Sequence, residues 1–424
     1  MRFKALDEWL AWQQGLSAKA IDLGLGRVSR VLHQSGRGNH FDCPLISVAG
    51  TNGKGSVVAF LEAMALAGGR RVCSYTSPHL LRYNERIRIN GDDIDDQSLC
   101  RVFERIDQAR GDIELTYFEF GTLAAIDLFF AAEPDLVIME IGLGGRLDAV
   151  NVMQPDVAVI TSVAIDHTDW LGPDREAIGF EKAGIMRAQR PAVCGDADPP
   201  KSLLQHASNL QADLKLIGKD FRVERENTTW RVSDANCTID GLPLPALAGD
   251  FQLDNAATAI IALKSLPQYP VSDEVIRRGL RNVHLPGRFQ VIRQRPLVIV
   301  DVAHNPQAAT ALGSQLKTQQ CTGKTHAIVA MLADKPVSEV IALLASEIDY
   351  WYTAGLESVG RGLSASDMAA AVEQCAADVK LSKTSTIAEA CTRALTTVNK
   401  GDRIIIFGSF HTVAEAMQFF ALHR

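Results

Sequence analysis

No apolar run in the 424-residue chain approaches the length needed to span a bilayer, and no Cys-x-x-Cys pair occurs. The eight cysteines are scattered, the nearest two being Cys375 and Cys391. That spacing excludes a zinc knuckle and the dense disulfide framework of a small secreted domain, so a reducing cytoplasm is expected. Positive charge is scarce as well: 43 Lys and Arg against 50 Asp and Glu leave a net charge of −7, which argues against a surface that wraps nucleic acid. The opening stretch MRFKALDEWLAWQQGLS lacks a signal-peptide core, because Asp7, Glu8, Gln13 and Gln14 interrupt its apolar residues. Internal repeats and low-complexity tracts do not stand out. What is present, 47% hydrophobic and 22% charged residues, suits a globular chain with two or more buried cores.

Short β-rich apolar runs alternate with Ala-rich segments, the pattern of parallel strands joined by helices. Strands are expected at LISVAG, RVCSYTS, LVIMEIG, VAVITSV and PAVCG, and helices from about Gly55 to Ala67 and at FGTLAAIDLFFAA. Between about Ala212 and Ala248 the periodicity shifts to short alternating pieces, which predicts a small accessory β-sheet without a functional reading. Pro286-Gly287 then breaks the chain before VIVD, HAIVAML, YWYTA and RIIIFGS, a second α/β unit.

The stretch ISVAGTNGKGSVVAF, Ile46 to Phe60, places a Gly-rich turn between a strand and an Ala/Leu-rich helix. Glycines let successive N–H groups curl inward toward phosphate oxygens, with the positive helix end behind them. Lys54 adds a mobile cation and Ser56 a hydroxyl for Mg²⁺. The alternative is a tight turn with a solvated Lys54, and the strand-to-helix setting favours the phosphate cradle. A second strand ends at Glu140 before GLGG, and a third ends near Asp166 and His167. In open parallel sheets these carboxyl ends share one crevice, so Ser56, Glu140 and His167 are candidates to meet there. Each also has a structural reading: Glu140 as a turn cap, His167 as a polar strand terminus. GLGG is weak as a dinucleotide fingerprint, since no helix with the right third Gly follows.

The motifs GTNGKGS, TSPHL, YFEFGT, EIGLGGRLDAVN, DHTDWLG, EKAGI, LPGRF and DVAHNP occur in the order found in the folylpolyglutamate synthases of the Mur ligase superfamily. IDLGLGRVS and GSFHTVAEA extend the likeness over nearly the whole chain, which resembles most the bacterial members that also accept dihydropteroate. The resemblance implies an α/β chain with three parts: an N-terminal P-loop ATPase-like domain over residues 1–285, a hinge at 286–296, and a Rossmann-like glutamate-ligase domain over 297–424. It implies that Gly53, Lys54, Gly55 and Ser56 hold ATP phosphates, that Ser77, Glu140 and His167 join Ser56 at Mg²⁺, and that Asn255, Arg288 and Asp301 hold the nucleotide. Asp22, Leu23, Gly24, Thr116, Tyr117, Phe118, Glu119, Leu147, Asp148 and Ala149 would border the pterin, and His304 and Ser409 the region receiving glutamate. In related ligases the residue matching Lys182 carries a carbamate, which makes Lys182 a catalytic candidate beside Lys54 and His304. The resemblance also admits a monovalent cation as a further cofactor. Two departures are noted: Val150 where Thr is expected, and Phe180 where a smaller residue is common.

The activity implied is an ATP-dependent ligation of L-glutamate to 7,8-dihydropteroate and to reduced folates through an acyl phosphate, in a cytoplasmic monomer without nucleic-acid or membrane partners. Three rivals are a synthase limited to folate extension, a sister ligase acting on a cell-wall nucleotide precursor, and a nucleotide-switched binding protein.

Overall fold

The computed structural model describes residues 2–357, 359–376 and 379–422. The chain divides into two compact units, Met1–Ala246 with Asp250–His284, and Leu247–Gly249 with Leu285–Arg424.

The first unit is built on an eight-stranded sheet. Its strands in chain order are β1 (Leu45–Ala49), β2 (Val72–Tyr75), β3 (Ile87–Ile89), β4 (Asp92–Asp93), β5 (Leu136–Glu140), β6 (Val157–Ile160), β7 (Pro191–Cys194) and β8 (Asp213–Leu216). In space they run β4-β3-β2-β5-β1-β6-β7-β8, parallel from β2 to β8, with β3 and β4 added antiparallel. The continuous apolar runs of β1 and β5 follow from this order: both strands are covered on both faces, and every residue in them is buried. Each large side chain so buried contributes roughly 1.5–3 kcal/mol. One core joins helices Leu6–Gln14, Gly26–Gln34, Asp96–Arg110 and Tyr117–Ala132 to the sheet, while Lys54–Ala67 packs with Phe251–Lys264 and Asp273–Asn282.

The connection after β1 leads toward β2 and that after β6 toward β7, in opposite directions across the sheet. The crevice at such a reversal is where open α/β sheets bind ligands. The accessory sheet is smaller than expected from the sequence: Phe221–Arg225 (β9), Thr229–Asp234 (β10) and Thr238–Pro243 (β11) form it antiparallel, whereas β8 joins the main sheet as its edge.

The second unit holds a six-stranded sheet of β12 (Gln290–Gln294), β13 (Leu297–Asp301), β14 (Thr325–Val329), β15 (Tyr350–Thr353), β16 (Lys380–Lys383) and β17 (Arg403–Phe407). The order is β12-β13-β17-β14-β15-β16, parallel except for β12. Residues 290–294, read from the sequence as part of a hinge, are thus a strand paired with β13. Helices Pro306–Thr318, Val337–Leu344 and Ala365–Cys375 share a core with one face of this sheet. Among the described residues no helix is long and apolar enough to cross a membrane.

Candidate active site

The Gly-rich turn after β1 is a phosphate-cradle geometry at the start of helix Lys54–Ala67. Gly53 caps the helix at φ +88°, in the left-handed region that glycine enters without steric cost. A Cβ there would lie 2.6 Å from Asn255 Oδ1, so only glycine lets Asn255 come this close to the loop. Asn255 Nδ2 donates to Gln252 Oε1 at 3.0 Å, and Gln252 Nε2 donates to the buried Ser56 Oγ at 3.3 Å. Ser56 and Asn255 are thereby joined through a residue the sequence reading passed over. The signal available was the three-residue spacing of Gln252 and Asn255 on one helical face.

Thr51 N donates to Ser162 O at 2.7 Å, and Thr161 Oγ1 donates to Asn52 O at 2.6 Å, which fastens the turn to the segment after β6. Lys54 Nζ folds back on the carbonyls of Gly50 and Thr51, both at 3.2 Å. Gly55 lies in the helix's first turn, where its N–H is one of the groups without an intrahelical acceptor.

Glu140 ends β5 beside β1, in register with Val48, and its buried carboxylate accepts from Ser77 N at 3.4 Å. Two of the expected metal residues therefore meet. His167 lies in an exposed turn at φ +53°, its Nε2 3.9 Å from Asp166 Oδ2. Among the described residues no group of three or more His, Cys, Asp or Glu is disposed to hold a metal. A divalent ion held by Ser56, Ser77, Glu140 and His167 would rest on one carboxylate, one imidazole, and hydroxyl and phosphate oxygens, a set in which oxygen predominates and which suits Mg²⁺ better than a soft metal.

Lys182, near the end of helix Arg175–Ala183, is 3% exposed. Burial, and then the nearby positive charge of Lys54, push its ammonium down from 10.5 to about 7, with Asp166 opposing. The neighbouring Phe180 is partly covered by the Arg146 guanidinium, 5.6 Å above its ring, and Arg146 also pairs with Glu181 at 2.7 Å. Phe180 also meets the His206 ring edge-on at 5.8 Å and stays 44% exposed, so the larger side chain is accommodated at the surface.

A third group of candidates gathers at the start of helix Tyr117–Ala132. Thr116 and Glu119 form a capping box: Glu119 N donates to Thr116 Oγ1 at 3.2 Å, and Thr116 N to Glu119 Oε2 at 2.8 Å. Arg27 links this corner to Asp22, with its Nη2 2.9 Å from Glu119 Oε1 and its Nη1 2.8 Å from Asp22 Oδ2. Leu23 lies between Asp22 and Gly24, and Gly24 N donates to Leu147 O at 3.0 Å, so the three expected pterin-side stretches converge. Arg27 was missed although it stands within the IDLGLGRVS motif.

Asp148 is buried and accepts from Leu143 N at 2.8 Å and Val150 N at 3.0 Å. Desolvation lifts its carboxyl to about 7 against those hydrogen bonds and the Lys54 charge. Ala149 and Val150 are buried beside it, so the methyl that replaces the expected hydroxyl at Val150 sits in apolar surroundings. Phe118 packs on Gly142, where a Cβ would meet the ring at 2.6 Å, and Tyr117 is half-buried.

In the second unit Asp301 ends β13 and accepts from Phe289 N and Ala303 N, both at 2.8 Å. Desolvation raises its carboxyl, and the Arg288 cation is the first force opposing that shift. The Arg288 guanidinium lies 5.2 Å above the Phe410 ring. His304 Nδ1 is 2.8 Å from Val302 O, and Ser409 Oγ, buried, accepts from Thr412 N at 3.0 Å. Both follow strands that are parallel neighbours, β13 and β17, and so share one sheet edge.

A phosphate cradle with an adjoining carboxylate, followed by a second α/β unit, is the organisation of the Mur ligases. Residues 48–263 match the Mur ligase middle domain, and residues 287–410 match the Mur ligase glutamate ligase domain. The chain is 43% identical to the Escherichia coli dihydrofolate synthase/folylpolyglutamate synthase over 415 residues, 97% of this chain and 95% of that protein. A solved structure of E. coli FolC in complex with DHPP and ADP superposes with a TM-score of 0.94 at 42% identity, covering 99% of both chains. A bifunctional folylpolyglutamate synthase/dihydrofolate synthase with Mn, AMPPNP and L-glutamate bound gives a TM-score of 0.89 at 43% identity, over 99% of this chain and 98% of that one. The chain belongs to the dihydrofolate synthase/folylpolyglutamate synthase family.

Proposed function

We propose that the chain joins L-glutamate to 7,8-dihydropteroate and to the terminal glutamate of reduced folates, using ATP. The observation that carries this reading is the presence in one unit of the phosphate cradle at Gly53–Ser56 and the Arg27-linked corner of Asp22 and Glu119. A general nucleotide switch needs the first and has no use for the second.

Amide formation in water needs an activated carboxylate. A carboxylate oxygen of the acceptor attacks the γ-phosphorus of ATP, the bond to the leaving ADP oxygen breaks, and an acyl phosphate forms. The glutamate amine then attacks the acyl carbon, phosphate leaves, and the amine gives up a proton to a base. Lys54 and the loop N–H groups would hold the transferring oxygens as charge builds, the role for which preorganised donors are worth most. Mg²⁺, when bound by Ser56, Ser77, Glu140 and His167, would neutralise charge on those same oxygens. Asn255, Arg288 and Asp301 are proposed for the nucleotide, and Leu23, Gly24, Tyr117, Phe118, Leu147 and Ala149 for the pterin. His304 and Ser409 are proposed for the glutamate side.

Relatives support the substrate classes: one solved structure holds DHPP and ADP, and another Mn, AMPPNP and L-glutamate. Eight free thiols support a cytoplasmic location, in which we expect a monomer. The deciding assay supplies purified chain with ATP, Mg²⁺ and glutamate plus either dihydropteroate or a reduced folate, with products identified by mass. Both acceptors should gain one glutamyl residue with ADP release. Sustained ADP release with no glutamylated product from either acceptor would overturn the ligase reading.

A further inference from the structure

Arg86 lies in the wall beside the acceptor-side residues and has no role in the reading above. It is 8% exposed, at the end of the short 3-10 turn Tyr83–Arg86. Its guanidinium is 5.2 Å above the Tyr83 ring and 5.5 Å above the Tyr117 ring, and its Nε donates to His79 Nδ1 at 2.8 Å. The Tyr75 hydroxyl is a further hydrogen-bonding neighbour, and among the described residues no carboxylate pairs with Arg86. The nearby acids are already engaged. Glu85 accepts from the backbone of Leu80, Leu81 and Arg82, Glu119 binds Arg27, and Asp148 binds the N–H groups of Leu143 and Val150.

The second observation is the Tyr83 hydroxyl, which is buried and has no hydrogen-bond partner. It lies where Gly121 leaves room, 2.4 Å from the position a Cβ would take there. The phenol is enclosed beside Gly121, whereas the guanidinium on the ring's face is near-buried without a counter-ion. A buried cation is costly unless an anionic acceptor arrives. Tyr117 and His79, the groups flanking the guanidinium, are half-exposed, so the wall is not sealed.

We infer that Arg86, on its shelf of Tyr83 and Tyr117, binds the carboxylate of the acceptor substrate before that carboxylate is activated. The inference rests on the proposed folate-ligase reading, which supplies an acceptor that is a flat aromatic body ending in a carboxylate. The planar guanidinium offers paired N–H donors that match a carboxylate, which a lysine cannot reproduce.

The test measures binding of dihydropteroate and of its methyl ester by calorimetry to the unmodified chain, Arg86→Gln and Arg86→Lys. The unmodified chain should prefer the acid. Arg86→Gln should weaken acid binding roughly 10²-fold while leaving the ester within about twofold, and Arg86→Lys should lose part of the preference. Without ligand, the Arg86→Gln unfolding midpoint should equal or exceed that of the unmodified chain, because the cation it removes has no carboxylate. Equal loss of acid and ester affinity, or an Arg86→Gln chain that binds the acid normally, overturns the inference. An Arg86→Gln chain that does not fold also overturns it, unless Arg86→Lys folds and shows the selective loss of acid. Failure of the unmodified chain to glutamylate dihydropteroate would sink the folate-ligase reading instead, a separate result.

Discussion

At Lys182 a single ionisable group reports on its surroundings. Its folded pKa of about 7 lies below the 10.5 of an exposed lysine, so between those values the unfolded chain holds a proton that the folded chain has lost. The contribution of this lysine to stability is fully present above 10.5 and falls away as pH drops toward about 7. A neutral amine is also the form that attacks CO₂. Bicarbonate removal at neutral pH should therefore lower turnover reversibly, and Lys182→Ala should lose activity that short carboxylates partly restore. A bare ammonium in the density of an active, metal-loaded crystal would contradict carbamylation. For Lys54, whose amine now rests on loop carbonyls, replacement by Ala should cut turnover roughly 10²-fold or more at saturating ATP. Steady-state kinetics would show this, and near-normal turnover would remove Lys54 from the phosphate site.

At the scale of elements, the helix Tyr117–Ala132 joins stability to substrate placement through its cap. Thr116→Ala should cost about 1 kcal/mol in denaturant unfolding, as loss of a cap does elsewhere. Because the lost Thr116 hydroxyl accepts from Glu119 N, and Arg27 holds the carboxylate of that same residue, loosening the cap should raise KM for dihydropteroate more than it lowers kcat. An unchanged KM would leave the cap purely structural. Elements like this one were legible in the sequence, as were β1, β2, β5, β6 and β7, because buried parallel strands read as continuous apolar runs. Edge strands were not. β16, with sequence KLSK, and β12, QVIRQ, have no such run, and only their pairing with β15 and β13 makes them strands. The phosphate loop was legible for a related reason, since its glycines and lysine are contiguous. Arg27 and Gln252 were not, because their partners Glu119 and Ser56 lie 92 and 196 residues away in the chain.

For the molecule as a whole, the claim that most exceeds the shared ligase machinery is that one site serves two acceptors. Glu140 sits at the end of a central strand and touches Ser77, so its loss should disturb the phosphoryl-transfer step whichever acceptor is bound. Glu140→Ala should then reduce dihydrofolate formation and folate extension by similar factors in parallel steady-state assays. Loss of one with survival of the other would mean two separate activating sites. The eight-stranded sheet has a further consequence, for behaviour at high concentration. One of its two edges is β4, only two residues long and made of Asp92 and Asp93, both exposed. A flat apolar margin invites a strand from a neighbouring molecule, and repeated addition of that kind builds fibres. Here an arriving strand would meet Asp92, the Asp93–Arg88 pair and almost no backbone to bond, so this edge closes itself chemically where β1 or β5, left bare, would have kept on growing.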